Sequence, residues 1–236
     1  MFQLLQAINF AAEAHKSQKR ISGGSYICHP LRVATMIDKQ LYASFDDKYR
    51  EDILSAAVLH DVVEDTEVTQ EDLKTMFMMS PRVPFWVKEL TDPEEMRGIE
   101  KHAEALIRIR KAETETQLIK LVDMLDNIMS RPDHWVKKNK GQRLRSFKAR
   151  CYNLWRCIWP DDSARLPIEY FKRQLLIAIT DNKYSPEKYA LACLPSMQGD
   201  CTAADAIVAE YLELSSKQVK ELEDTYLWLD PKEKRE

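Results

Sequence analysis

The stretch A-A-V-L-H-D-V-V-E-D-T, Ala56 to Thr66, begins as an apolar helix made for burial and ends in ions. With no turn signal between them, the apolar residues run straight into His60, Asp61, Glu64 and Asp65. The periodicity predicts one helix over Glu51–Asp65, on which Ile53, Ala57, His60, Asp61 and Glu64 share a face at steps of three and four. That face starts in a core and finishes ionisable. A buried carboxylate is costly unless it is paired or bound to a cation. Acids at a helix C-terminus also oppose the macrodipole. A local conflict of this kind is expected at a functional site.

Working outward, the pattern is helical almost everywhere. Phe2, Leu5, Ile8, Ala12 and His15 mark one face of a first helix, and residues 30–43 predict a second with Pro30 in its first turn. Thr69 and Asp72 have capping-box spacing at the head of T-Q-E-D-L-K-T-M-F, and Thr202 with Asp205 repeats it. Further helices are expected over 99–111, 115–129, 135–158, 167–180, 186–193 and 202–229, the last broken near Ser215–Ser216. Alternating strand patterns are scarce. The expected fold is all-α, with a helical domain over residues 1–160 and a helical extension over 161–236 that could pack on it.

Composition narrows the function. The 236 residues carry a net charge of only −3, so bulk charge points to neither nucleic acid nor a membrane surface. No apolar run approaches the ~20 residues of a membrane span, and the first twenty residues make a poor signal peptide. The five cysteines form no C-x-x-C pair and suit reduced thiols in a cytoplasm. Five glycines supply neither G-x-G-x-x-G nor a Walker A loop. If phosphates are handled, a metal or basic side chains must handle them.

Two other stretches offer ligands in apolar surroundings. His29 precedes Pro30 in S-Y-I-C-H-P-L-R-V-A, and Asp123 lies within L-I-K-L-V-D-M-L-D-N-I-M, with Asn127 one turn later. His29, His60, Asp61 and Asp123 offer two nitrogens and two oxygens, a set that suits a divalent first-row ion. Glu64 and Asp65 would then sit just outside it, placed to orient or deprotonate a water. Taken residue by residue, satisfied core polar groups and a solvated helix end are the competing reading.

The order H-P, then H-D-x-x-E-D-T, then K-L-x-D-x-x-x-N resembles the HD superfamily. More narrowly, it resembles the (p)ppGpp hydrolase domain of the RelA/SpoT family in its small stand-alone form. A-H-K-S-Q-K-R-I-S-G-G-S-Y-I-C-H-P-L-R-V-A, A-A-V-L-H-D-V-V-E-D-T-E-V-T, V-K-E-L-T-D and I-K-L-V-D-M-L-D-N carry the resemblance, across roughly residues 7–135. It implies an HD-domain helical bundle with additional C-terminal helices. It further implies one Mn²⁺ on His29, His60, Asp61 and Asp123, and a water activated by Glu64 and Asp65. Arg20 and Ser22 would meet the guanine end of the nucleotide, Tyr26 would line the pocket and Asn127 would contact the ribose. The implied reaction removes pyrophosphate from the 3′ position to give GDP or GTP.

Departures from the family pattern fall around the pocket. Ile21 stands where a second basic residue is common, Ser25 where proline is common, and Met124 and Asp126 where arginine and histidine are common. They leave the base of the nucleotide open, with NADPH or (p)ppApp as rival substrates. A non-catalytic nucleotide sensor or toxin-neutralising partner is the reading from another class, and an antitoxin acting by hydrolysis would share this site. W-V-K-K-N-K-G-Q-R-L-R-S-F-K-A-R, Trp135–Arg150, reads as a solvated basic face or as a rim that steers a polyanion.

Overall fold

The computed structural model describes residues 2–21, 23–41, 46–93, 95, 98–131, 142–158, 166–196 and 200–212. Its elements are α1 (Phe2–Ala14), α2 (Cys28–Gln40), α3 (Asp47–Leu59), α4 (Val62–Asp65), α5 (Gln70–Met76) and α6 (Arg82–Leu90). They continue with α7 (Gly98–Lys111), α8 (Thr114–Met129), α9 (Gln142–Cys157), α10 (Ile168–Ile179), α11 (Pro186–Ser196) and α12 (Thr202–Leu212). Among the described residues the fold is all-α, and Lys19–Ser25 forms only an isolated antiparallel bridge. No helix there is long and apolar enough to cross a membrane.

Two helices organise the molecule. Every residue from Asp52 to Leu59 of α3 is buried, because α1, α2, α6 and α8 surround it. Burying each Leu or Ile side chain there contributes about 1.5–3 kcal/mol. On α8 all faces are covered, from Thr116 to Ile128, with α2, α6, α7, α9 and α10 against it. A polar side chain on either helix therefore points into protein. His60 at the end of α3 and Asp123 in the middle of α8 are both buried.

The helix expected over Glu51–Asp65 is two helices. α3 stops at Leu59, His60 and Asp61 form a turn, and α4 is four residues long. Propensity gives no reason for the break. It falls where the His60 Nδ1 turns back to the Ala57 carbonyl at 2.8 Å and the Tyr26 hydroxyl holds Asp61 at 2.7 Å. Local and tertiary bonds at these two side chains override the period. The capping box at Thr69 forms as expected, with both reciprocal bonds to Asp72. At the second such spacing Thr202 is the first residue of α12 and not its N-cap, and Asp205 accepts from the Tyr152 hydroxyl at 2.6 Å and pairs with Arg156 at 3.3 Å.

One continuous apolar core runs from Ala7 through Trp155 to Leu212, so α10 to α12 share it with the preceding helices. Asp181 and Asn182 close α10 at φ 49° and 57°, the left-handed region that these residue types tolerate. There Asp181 pairs with Lys148 at 2.7 Å and Arg131 at 3.2 Å and accepts from the Tyr211 hydroxyl. Lys148 is thus buried, against its expectation as part of a solvated basic face. Arg150 of the same run is exposed. Lys137, Lys138 and Lys140, and the expected break at Ser215–Ser216, lie outside the described residues.

Candidate active site

Three chain segments deliver the site. The loop between α1 and α2 closes on itself through Arg20 N–H to Gly24 O (3.1 Å) and Tyr26 N–H to Gln18 O (3.1 Å). Gly23 and Gly24 take φ +96° and +82°, which L side chains rarely adopt. This tight return carries Arg20 out and Tyr26 back, and His29 follows as the second residue of α2. The α3–α4 turn brings His60 and Asp61, and α8 brings Asp123 and Asn127. Ser22, expected at the nucleotide, lies outside the described residues.

The two imidazoles meet edge to face, 5.2 Å between centroids. His29 Nε2 lies 3.1 Å from Asp123 Oδ1 and 3.6 Å from Asp61 Oδ2. His60 Nε2 lies 2.9 Å from Asp61 Oδ2 and 3.7 Å from Asp123 Oδ1. Ligand atoms of His29, His60 and Asp123 all fall within 4.8 Å of one another. Asp61 stands outside that tight group, with its Oδ2 between the two rings and bonded to Tyr26.

The donors fit a divalent cation. The Ala57 carbonyl can only accept, so His60 carries its proton on Nδ1 and presents a lone pair at Nε2. That Nε2 is buried without a hydrogen bond, even though a carboxylate oxygen is 2.9 Å away. Proximity without alignment is what results when both atoms point at a common third position. His29 is arranged alike: its Nδ1 donates to Asp126 Oδ2 at 2.7 Å, leaving Nε2 toward Asp123. Burial opposes a proton on either ring, yet the aspartates outweigh it and raise both pKa values, His60 well above its ordinary range. The field that favours an extra proton there favours a metal ion in its place. Two nitrogens with carboxylate oxygens suit a borderline divalent ion.

The two acids of the H-D-x-x-E-D-T stretch diverge. Glu64 lies past the break after Leu59, on α4, and its carboxylate is bonded to Lys101 at 2.8 Å. The Asp65 carboxylate adjoins the Tyr26 hydroxyl, and its carbonyl accepts from Gln18. Tyr26 is packed on His15 at 4.7 Å between centroids. Burial first, then Asp61, pushes its pKa far up, so its hydroxyl remains a donor. Arg20 and Asn127 are brought together: Arg20 Nη2 donates to Asn127 Oδ1 at 2.7 Å and to Ser130 Oγ at 3.0 Å. Asn127 Nδ2 in turn donates to Asp123 Oδ1 at 2.6 Å. A line of bonds thus joins the Gly23–Gly24 loop to Asp123.

Three residues at the site were given no role in the sequence reading: Lys120, Arg32 and Asp126. Lys120 Nζ lies 3.1 Å from Asp123 Oδ2, one helical turn before it in I-K-L-V-D, so the spacing could have shown it. Arg32 and Asp126 could be seen only in three dimensions. Asp126, one of the departures from the family pattern, is an added negative charge in the pocket, and Arg32 neutralises it through bonds of 2.7 and 2.9 Å. Burial would raise the Asp126 pKa; His29 and Arg32 overcome it and hold it at about 2. An ionised carboxylate behind a ligating imidazole fixes its tautomer and raises its basicity. Asp126→Asn is therefore expected to weaken divalent-cation binding about 10- to 100-fold. Calorimetric titration with Mn²⁺ checks this, and unchanged affinity would show that His29 needs no anionic partner.

Comparison with known proteins gives a consistent picture. A family model for the HD domain matches residues 7–156. A Drosophila melanogaster protein named guanosine-3′,5′-bis(diphosphate) 3′-pyrophosphohydrolase MESH1 is 31% identical over 146 residues, 59% of this chain and 78% of that protein. Its Homo sapiens namesake is 34% identical over 128 residues, 53% and 68% of the two chains. A solved structure described as a metazoan ortholog of SpoT that hydrolyses ppGpp superposes with a TM-score of 0.63. It covers 78% of this chain and 97% of its own at 24% identity, which establishes a shared fold.

Proposed function

The chain belongs to the HD-domain family, and from that premise we propose that it is a metal-dependent 3′-pyrophosphohydrolase of (p)ppGpp-like alarmones. The observation that carries the reading is the buried His29–His60–Asp123 set, with both Nδ1 atoms tied back and the His60 Nε2 left without a partner. The Drosophila and human relatives bear the name of that activity. None of the five cysteines is in a disulfide, which suits a reducing cytoplasm.

His29, His60, Asp61 and Asp123 would hold one divalent ion, Mn²⁺ by resemblance. Such an ion supplies positive charge to phosphoryl oxygens and acidifies water at neutral pH. The remaining work belongs to the chain's own groups. Glu64 takes the proton of the attacking water, and Asp65 orients that water from the adjacent position. The water oxygen adds to the phosphorus on the ribose 3′ oxygen, the 3′ O–P bond breaks, and the 3′ oxygen leaves as a hydroxyl after regaining a proton. Arg20, held by Asn127 and Ser130 and lying 5.7 Å above the Tyr26 ring, presents a planar cation to the nucleotide. Asn127 links that end of the pocket to Asp123.

The test is hydrolysis of ppGpp by the purified protein with Mn²⁺ and again after chelation. Metal-dependent release of pyrophosphate with GDP is expected. No turnover of ppGpp by protein that binds Mn²⁺ would remove the guanine alarmone as substrate, and (p)ppApp and NADPH in the same panel would identify its replacement. An antitoxin role follows if a partner toxin makes such an alarmone, since hydrolysis neutralises it without contact between the two proteins.

A further inference from the structure

Glu64, the proposed base, is held from outside its own stretch of sequence. It sits on a four-residue helix, its three torsions are free by nature, and its side chain is 28% exposed. A flexible carboxylate at a surface samples many positions. Here it is held at both oxygens. Lys101 Nζ, from α7, donates to Oε1 at 2.8 Å, and the main-chain N–H of Asp92 approaches Oε2 at 3.4 Å. Lys101 is itself braced: its Nζ lies 3.2 Å from Asp92 Oδ2, and the other oxygen of Asp92 accepts from Arg108. Arg108 is anchored in turn to the Glu89 carbonyl at 2.8 Å and to Glu104.

We propose that Lys101 is a positioning residue for Glu64, fixing with the Asp92 main chain where that carboxylate meets the attacking water. This rests on the reading of Glu64 as the base. Nothing in the H-D-x-x-E-D-T stretch supplies this hold. It comes from the C-terminus of α6 and from α7, 28 and 37 residues further on. A partly exposed ion pair contributes little to folding. Misplacing a reacting group by about 1 Å can cost on the order of 10²-fold in rate. The consequence of losing Lys101 therefore falls on turnover and spares stability.

The experiment is a double-mutant cycle on kcat for ppGpp hydrolysis with Mn²⁺: wild type, Lys101→Met, Glu64→Gln and the pair, with Lys101→Arg as the conservative variant. Lys101→Met is expected to lower kcat about 10- to 100-fold with Glu64 present and to have almost no effect when position 64 is glutamine. Lys101→Arg should restore much of the loss, because a guanidinium can also donate to the Glu64 carboxylate. Melting temperature and Mn²⁺ affinity should match wild type. Outside catalysis, a crystal structure of Lys101→Met should show the Glu64 side chain in more than one rotamer. The proposal is overturned if the two losses multiply, if Lys101→Met raises KM alone, or if Glu64 keeps its wild-type position without Lys101. Failure of wild type to turn over ppGpp in the same assay would overturn the functional reading and this proposal with it. Wild-type turnover with multiplying losses would overturn this proposal alone.

Discussion

Asp123→Asn is expected to abolish divalent-cation binding and to lower kcat/KM by about 10³-fold or more. The reasoning starts from the position of Asp123 on a helix covered on every face. Its Oδ1 is shared by His29 at 3.1 Å and Asn127 at 2.6 Å, and its Oδ2 faces Lys120 at 3.1 Å. Burial alone would raise its pKa; Lys120 and the two histidines overcome it and hold the group well below the carboxylate range. It is therefore an anion at any working pH. Asparagine keeps the shape and an accepting oxygen but removes that charge. A cation on His29 and His60 would then face a neutral amide and a lysine at hydrogen-bond range. Calorimetric titration with Mn²⁺ and pyrophosphate release measure the two losses together, and a thermal melt shows whether the fold is intact. Folded Asp123→Asn protein that still binds Mn²⁺ with wild-type affinity would move the metal elsewhere.

How far the sequence discloses this site depends on where each partner lies. His60, Asp61 and Asp123 are legible because an ionisable group in an apolar helical run is a local anomaly. His29 is legible because proline marks its helix start. The all-α architecture follows from 3.6-residue periodicity over long segments, and the bounds of α7, α8 and α10 agree with the expected ones within a residue or two. The break at His60–Asp61 is not legible, since the bonds around it involve ring nitrogens and a tyrosine from the preceding loop. Lys148 shows the same limit. Its place in a basic run says surface, yet Asp181 and Tyr211, both in the C-terminal third, draw it inside. Arg32, Asp126 and Lys101 act across 94 and 37 residues, beyond the reach of any local pattern.

Glu64→Gln separates base chemistry from metal binding. It is expected to lower kcat about 10²- to 10⁴-fold while leaving Mn²⁺ affinity unchanged. Glutamine preserves the local geometry: its carbonyl oxygen can accept from Lys101 or from the Asp92 N–H, and its length equals that of glutamate. What it loses is the capacity to take a proton, and with it the path by which water becomes a nucleophile. The assigned ligand set is untouched, because Glu64 is not a member of it and its carboxylate bonds to Lys101 and the Asp92 main chain. Single-turnover hydrolysis of ppGpp with saturating Mn²⁺ reads the chemical step directly, and calorimetry reads the metal. A large fall in kcat with constant affinity assigns the proton to Glu64. Near-normal kcat would transfer the base role to Asp65, whose carboxylate adjoins Tyr26 on the side of Asp61 and needs no help from α7. Glu64 and Lys101 would then be a surface ion pair worth little to either activity or stability.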